Sequence, residues 1–184
     1  MVYVILGTGF EEIEAVAPVD VLRRAGVPVA YVGIGGLEVA GAHNITLRAD
    51  LTVAQMDLTQ LEMIVLPGGM GGVSSIRACP QVLEAVRFAA ENGKFVAAIC
   101  AGPTVLADLH LIDGKRCTCF PNPALQEQMQ AGLLIPDAAV VRDGMVITGT
   151  SAGCAVAFAL ELVSALRGPE AAEAAAADLV IRPA

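Results

Sequence analysis

Phe95-Val96-Ala97-Ala98-Ile99-Cys100-Ala101-Gly102-Pro103-Thr104 runs a short apolar segment straight into a helix-starting sequence. Five apolar residues in a row do not alternate with polar ones. They read as a strand covered on both faces, as in a parallel sheet packed between helices. Pro103 suits the first turn of a helix, because the missing N–H would be unpaired there anyway. The same grammar recurs on both sides. Val2–Leu6, Val27–Ile34 and Met63–Leu66 read as further strands. Helices are expected over Glu11–Ala25, Pro80–Asn92, Ala101–Leu109, Ser151–Leu166 and Pro169–Ala177. Leu37–Asp50 reads as a short hairpin, and Ala138–Val141 with Met145–Thr148 as another around Arg142-Asp143-Gly144. Strands alternating with helices predict an α/β fold with a mostly parallel sheet. In such sheets ligands bind beyond the carboxyl ends of the strands. Gly7-Thr8-Gly9, Pro67-Gly68-Gly69 and Cys100-Ala101-Gly102 would then share one rim.

The chain has 184 residues, within the range of one domain, and no linker or repeat divides it. Hydrophobic residues make up 55% and charged residues 16%, which excludes a disordered chain. The net charge of −8 gives no general attraction to nucleic acid or anionic lipid. No apolar run reaches the roughly 20 residues of a membrane span. The opening Met1–Leu6 lacks the basic start of a signal peptide. Five cysteines read as free thiols of a cytoplasmic protein.

Cys100 stands where strand meets helix, as in a nucleophile elbow, and the small Ala101 and Gly102 leave room for a sharp turn. A thiol at a helix N-terminus is expected to have a lowered pKa. The alternative is a buried, inert cysteine. On a helical wheel of residues 11–25, Glu12 and Arg23 share one side. Glu14 falls among Ala17, Pro18, Val21 and Ala25, in the apolar arc. A carboxylate there must be protonated or paired, so Glu14 is a candidate raised-pKa acid. The alternative is a helix cap or a solvent-facing residue at a frayed end. Pro18 cannot bond the Glu14 carbonyl and should kink the helix. Pro67-Gly68-Gly69-Met70-Gly71-Gly72 reads as a glycine loop whose amides, with that of Ala101, can form an oxyanion hole. It lacks the Lys-Ser/Thr of a phosphate loop. Gly7-Thr8-Gly9 is followed by Glu12 where a dinucleotide fingerprint needs its third glycine, which excludes that cofactor. His43 and His110 read as surface or capping residues. Cys117 and Cys119 lack the partners of a zinc site, and Cys79 and Cys154 read as small apolar residues.

Together, Gly-Phe-Glu-Glu-Ile-Glu-Ala (9–15), Pro-Val-Asp-Val-Leu-Arg-Arg-Ala-Gly (18–26), Val-Leu-Pro-Gly-Gly (65–69) and Ala-Ala-Ile-Cys-Ala-Gly-Pro (97–103) resemble the ThiJ/PfpI superfamily, in the branch of the parkinsonism-associated protein deglycase and its bacterial relatives. The resemblance covers nearly the whole chain as a single domain, residues 1–184. It implies a flavodoxin-like three-layer sandwich and a homodimer built around the first helix and Gly36–Asp50. It also implies a nucleophilic, oxidation-prone Cys100, with Glu14 as the acid that hydrogen-bonds its sulfur. Gly68, Gly69 and Ala101 match the positions whose amides face the site. Two departures stand out. Some relatives carry histidine at the position of Phe120, and Thr150-Ser151-Ala152-Gly153 replaces an Arg or Gln followed by Gly-Pro-Gly. The protease-like branch has histidine directly after the cysteine, where this chain has Ala101.

The expected function is therefore a cofactor-independent thiol enzyme acting on methylglyoxal, glyoxal or their protein adducts, with no metal and no nucleotide. The rival is an oxidative-stress sensor or chaperone switched by oxidation of Cys100 to sulfinate. A third reading, amide hydrolysis, needs an imidazole beside the sulfur, and the sequence offers no well-placed one.

Overall fold

The computed structural model describes residues 1–181. In chain order its elements are β1 (Val2–Leu6), α1 (Glu12–Arg24), β2 (Val29–Gly33), β3 (Glu38–Ala40), β4 (Thr46–Arg48), β5 (Leu51–Thr52), β6 (Met63–Leu66) and α2 (Met70–Arg77). Then come α3 (Pro80–Glu91), β7 (Phe95–Ile99), α4 (Pro103–Asp108), β8 (Arg116–Cys117), α5 (Pro123–Gln128) and β9 (Leu133–Leu134). The chain closes with β10 (Val140–Asp143), β11 (Val146–Gly149), α6 (Ala155–Arg167) and α7 (Pro169–Asp178).

Seven strands form one sheet in the order β10-β11-β7-β6-β1-β2-β5. All its pairings are parallel except β10 with β11. The apolar runs explain this arrangement: with both faces covered, no position in β1, β6 or the last four residues of β7 meets water. Successive side chains still go to opposite faces. Tyr3 and Ile5 join Ile64, Leu66, Val96 and Ala98 under α2, α3 and α4. Val2 and Val4 join Val65, Ala97 and Ile99 under α1, α6 and α7, where Phe158 and Leu162 are fully buried. The result is a three-layer, flavodoxin-like sandwich. Strand order reverses between β1, which continues to β2, and β6, which lies on the other side. That reversal opens a crevice at the carboxyl ends of β1 and β6, beside β7.

Two local readings are corrected. Residues 70–77 form α2 instead of a loop. Its glycines are there for close packing: a Cβ on Gly72 would lie 2.8 Å from Phe10 Cα, and one on Gly71 2.9 Å from Thr8 O. The long helix begins at Ala155, after a 3₁₀ turn at Ala152–Cys154. Pro18 lies inside α1, which runs on to Arg24. No helix among the described residues is long and apolar enough to cross a membrane.

Candidate active site

Cys100 follows the last residue of β7 with φ of +64°, a left-handed conformation that non-glycine residues rarely adopt. The chain must turn this sharply because both sides of the cysteine are held. Its N–H donates to Gly149 O at 2.9 Å, and its carbonyl accepts from Phe120 N–H at 2.9 Å. Gly102 makes the turn possible, since a Cβ there would lie 2.5 Å from Leu66 O. Such strain, held by the surrounding backbone, is the geometry that lifts a nucleophile above a sheet.

Glu14 comes to the same place from α1. Glu11 caps that helix, its carboxylate accepting from the Glu14 N–H at 2.8 Å. The Glu14 side chain is fully buried, while Ile13 and Val16 of the same helix face outward. Its Oε2 accepts from the Gly68 N–H at 2.7 Å. Oε1 is buried with no hydrogen bond of ordinary geometry. The Cys100 thiol and the Ala152 N–H face the carboxyl and stabilise its anion only weakly. Gly68 lies between the groups: a Cβ there would be 2.6 Å from Glu14 Oε2, 2.8 Å from Cys100 Cβ and 3.1 Å from Ala101 N. The structure thus brings together all five residues singled out in the sequence. Their amides do different things. Those of Ala101 and Gly69 serve the sulfur, while that of Gly68 is engaged by Glu14 and does not belong to an oxyanion hole.

Burial pushes the Glu14 carboxyl up to about 7, against the pull of the Gly68 N–H. Burial also pushes the Cys100 thiol up to about 12, with the Glu14 charge as the second cause. This corrects the expected low thiol pKa. Helix α4 begins only at Pro103 and is six residues long, so its dipole reaches the sulfur weakly. The Ala101 and Gly69 amides favour the thiolate but do not outweigh burial. The two groups titrate as a coupled pair, and an ionised Glu14 holds the facing thiol protonated. A nucleophilic thiolate is favoured when the carboxyl carries the proton.

The sulfur opens onto a cavity of about 510 Å³ whose walls include Gly69, Met70, Phe120 and Leu125. Phe120 makes the wall apolar. Thr150 is half-buried, its hydroxyl donating to Ala138 O and lying 3.0 Å from the Thr118 hydroxyl. His43, read from the sequence as a surface residue, also lines this cavity. Its signal was hidden because the residue that fixes it, Glu12, is 31 positions away. His110 is an exposed residue after α4, 3.1 Å from Asp113. Among the described residues, Glu11, Glu12 and His43 are the one group of three acidic or imidazole side chains close enough to share an ion.

The DJ-1/PfpI family matches residues 1–165, so the chain belongs to that family. It is 36% identical over 181 residues to "Protein dj-1beta" of Drosophila melanogaster, covering 97% of this chain and 95% of that protein. The crystal structure of that fly protein superposes with a TM-score of 0.92, over 99% of this chain and 98% of that one. The chain is also 35% identical over 161 residues to "Glutathione-independent glyoxalase DJR-1.2" of Caenorhabditis elegans, covering 87% of this chain and 84% of that protein. An oxidized Toxoplasma gondii DJ-1 structure, 29% identical, superposes with a TM-score of 0.92 over 99% of this chain and 98% of that one.

Proposed function

We propose that the protein is a cofactor-independent thiol enzyme that converts reactive 2-oxoaldehydes, such as methylglyoxal, to 2-hydroxy acids. The observation that carries this reading is a strained cysteine at a strand end facing a fully buried carboxyl, whose pKa burial raises. The similarity to a worm protein named a glutathione-independent glyoxalase supports it.

In the proposed reaction the Cys100 thiolate attacks the aldehyde carbon. The carbonyl electron pair moves to oxygen, which takes the Glu14 proton, leaving a thiohemiacetal. The Ala101 and Gly69 amides stabilise charge beside the sulfur. Glu14, now a carboxylate, removes the proton from the former aldehyde carbon and returns it to the neighbouring carbon, while the hydroxyl proton on the sulfur-bearing carbon passes to the ketone oxygen, giving a 2-hydroxy thioester. The aldehyde carbon is thereby oxidised and the ketone carbon reduced, so no external oxidant is required. Water then cleaves the thioester and frees the thiol. Adducts of the same aldehydes with amines or thiols of proteins fit this chemistry as further substrates.

The test is lactate formation from methylglyoxal by the wild type and by Cys100→Ala. The variant is expected to fold and to form no lactate. Undiminished turnover would reject the reading.

A second reading is supported by the same amides. Peroxide in two steps would convert the thiolate to sulfinate, with the Glu14 carboxyl donating to one of its oxygens. Mass spectrometry after mild peroxide should then find two added oxygens at Cys100 and none on the other four cysteines. Oxidation spread evenly over all five would count against it. The proposal includes a homodimer across α1 and residues 36–50, which leave Ile13, Val16 and Ile45 exposed. Light scattering that shows only a monomer would remove this part.

A further inference from the structure

His43 sits in the turn between β3 and β4 and forms part of the wall of the cavity into which Cys100 opens. Its side chain is exposed, yet it is not free to rotate. Nδ1 lies 2.8 Å from Glu12 Oε2, and that carboxylate is only 6% exposed. The other oxygen, Oε1, accepts the His43 N–H at 2.6 Å and the Ile45 N–H at 3.4 Å. One buried carboxylate thus grips the ring and the backbone of the turn together. Gly41 leaves the space for it: a Cβ there would lie 2.3 Å from Glu12 Oε1. This grip is specific, because a buried carboxylate needs several donors to remain ionised.

The hydrogen bond fixes the chemistry of the ring. A carboxylate at Nδ1 accepts a proton from it, so the exchangeable position is Nε2. Nε2 has no protein partner among the described residues. It is an acceptor in the neutral ring and a donor in the cation. Glu12, and more weakly Glu11, favour the cation. Burial alone would raise the Glu12 carboxyl, but its bonds from His43 and Ile45 outweigh burial and hold it below its ordinary value.

We infer that His43 is the acid–base group for the oxygens of a 2-oxoaldehyde bound to Cys100. The inference rests on the function proposed above and deepens it. Glu14 is fully buried and serves the carbon-bound proton from beneath. The ketone oxygen, one carbon beyond the C–S bond, needs a different donor. As Glu14 takes the proton from the carbon bearing sulfur, a C=C bond forms. The ketone π pair then takes a proton from His43 Nε2–H, giving an enediol. Glu14 returns its proton to the neighbouring carbon. The hydroxyl on the sulfur-bearing carbon gives its proton to His43, and the C=O bond of the thioester forms. Both residues end as they began. The atoms of the substrate are rearranged, and only the later hydrolysis adds water.

The test compares wild type, His43→Gln and Cys100→Ala in two assays, methylglyoxal turnover and iodoacetamide alkylation of Cys100. An exposed side chain tolerates the glutamine without loss of fold. Because His43 lies within the proposed dimer face of residues 36–50, light scattering must give the wild-type size for His43→Gln; a changed size would overturn the catalytic role. His43→Gln is expected to lower kcat by about 100-fold, the lower end of general acid–base contributions. Its alkylation rate should stay at the wild-type value, because the thiol and Glu14 are untouched. Full turnover by His43→Gln with an inactive Cys100→Ala would overturn the role of His43 and leave the proposed function standing. A parallel loss of alkylation would overturn it too, as a structural effect on the thiol. Wild-type turnover no greater than that of Cys100→Ala would remove the proposed function itself, and this inference with it.

Discussion

Replacing Glu14 by Gln should change how stability depends on pH, in a direction the geometry dictates. Glu14 is fully buried, and the Gly68 N–H at 2.7 Å is the strongest of the few donors that stabilise its anion. Burial raises the carboxyl from 4.5 in the unfolded chain to about 7 in the fold. The folded protein therefore holds a proton that the unfolded chain releases between these values. The resulting stabilisation is complete below 4.5 and is lost as pH rises through 7. The gap from 4.5 to about 7, at about 1.4 kcal/mol per pH unit, amounts to about 3 kcal/mol. Glutamine keeps an oxygen for the Gly68 N–H and does not titrate. Urea denaturation at intervals between pH 4.5 and 8 measures the effect. The variant should gain about 3 kcal/mol relative to wild type across that window, because only the wild type must bury a charge at the upper end. Glu12 and His43 titrate in both proteins, so their contributions cancel in the difference. A difference that is flat with pH, or that grows toward acid, would refute the placement of Glu14 as a desolvated acid.

The same substitution should ease ionisation of the thiol. The Glu14 charge is the second cause, after burial, of the raised Cys100 pKa. Thiolate absorbance, taken as the difference between proteins with and without Cys100, should therefore appear at lower pH than about 12 in Glu14→Gln. An unmoved midpoint would mean the two groups do not interact. Gly68→Ala would press a methyl group to 2.6 Å from Glu14 Oε2 and 2.8 Å from Cys100 Cβ. Overpacking of this kind costs about 1–3 kcal/mol. The variant should melt at lower temperature and react more slowly with iodoacetamide; wild-type values in both would contradict the crowding described here.

Much of the fold was legible because the strands are short and wholly apolar. Val2–Leu6, Met63–Leu66 and Phe95–Ile99 have no polar residue to place in water. Helices marked by proline or glycine, such as Pro80–Glu91 before Gly93, carried their own boundaries. What stayed hidden depended on contacts distant in sequence. Gly71 and Gly72 lower helix propensity, and the reason for them is the backbone of residues 8–10 pressed against α2. Helix α5 and strands β8 and β9 are only six or two residues long, too short to show a period. The strand order that creates the crevice cannot be read from any one segment.

The site was legible where its parts are local and obscure where they are paired across the fold. Glu14 stood out because a carboxylate in an apolar arc has no local explanation. Glu12 is almost as buried, yet the wheel put it on the polar side with Arg23. Its partner is His43, in a hairpin turn that no periodicity connects to α1. The thiol shows why magnitudes must decide between two true effects. A helix terminus is worth about 0.3–1 kcal/mol, less than one pH unit. Burial and the Glu14 charge together carry the thiol from 9.0 to about 12. The helix dipole acts in favour of the thiolate but is too small to offset burial. Reactivity at Cys100 is instead tied to its neighbour: the Glu14 charge holds the thiol protonated, and neutralising that charge eases its ionisation. The chemistry of the thiol is therefore set by a residue 86 positions earlier in the chain, through the glycine that lets the two approach.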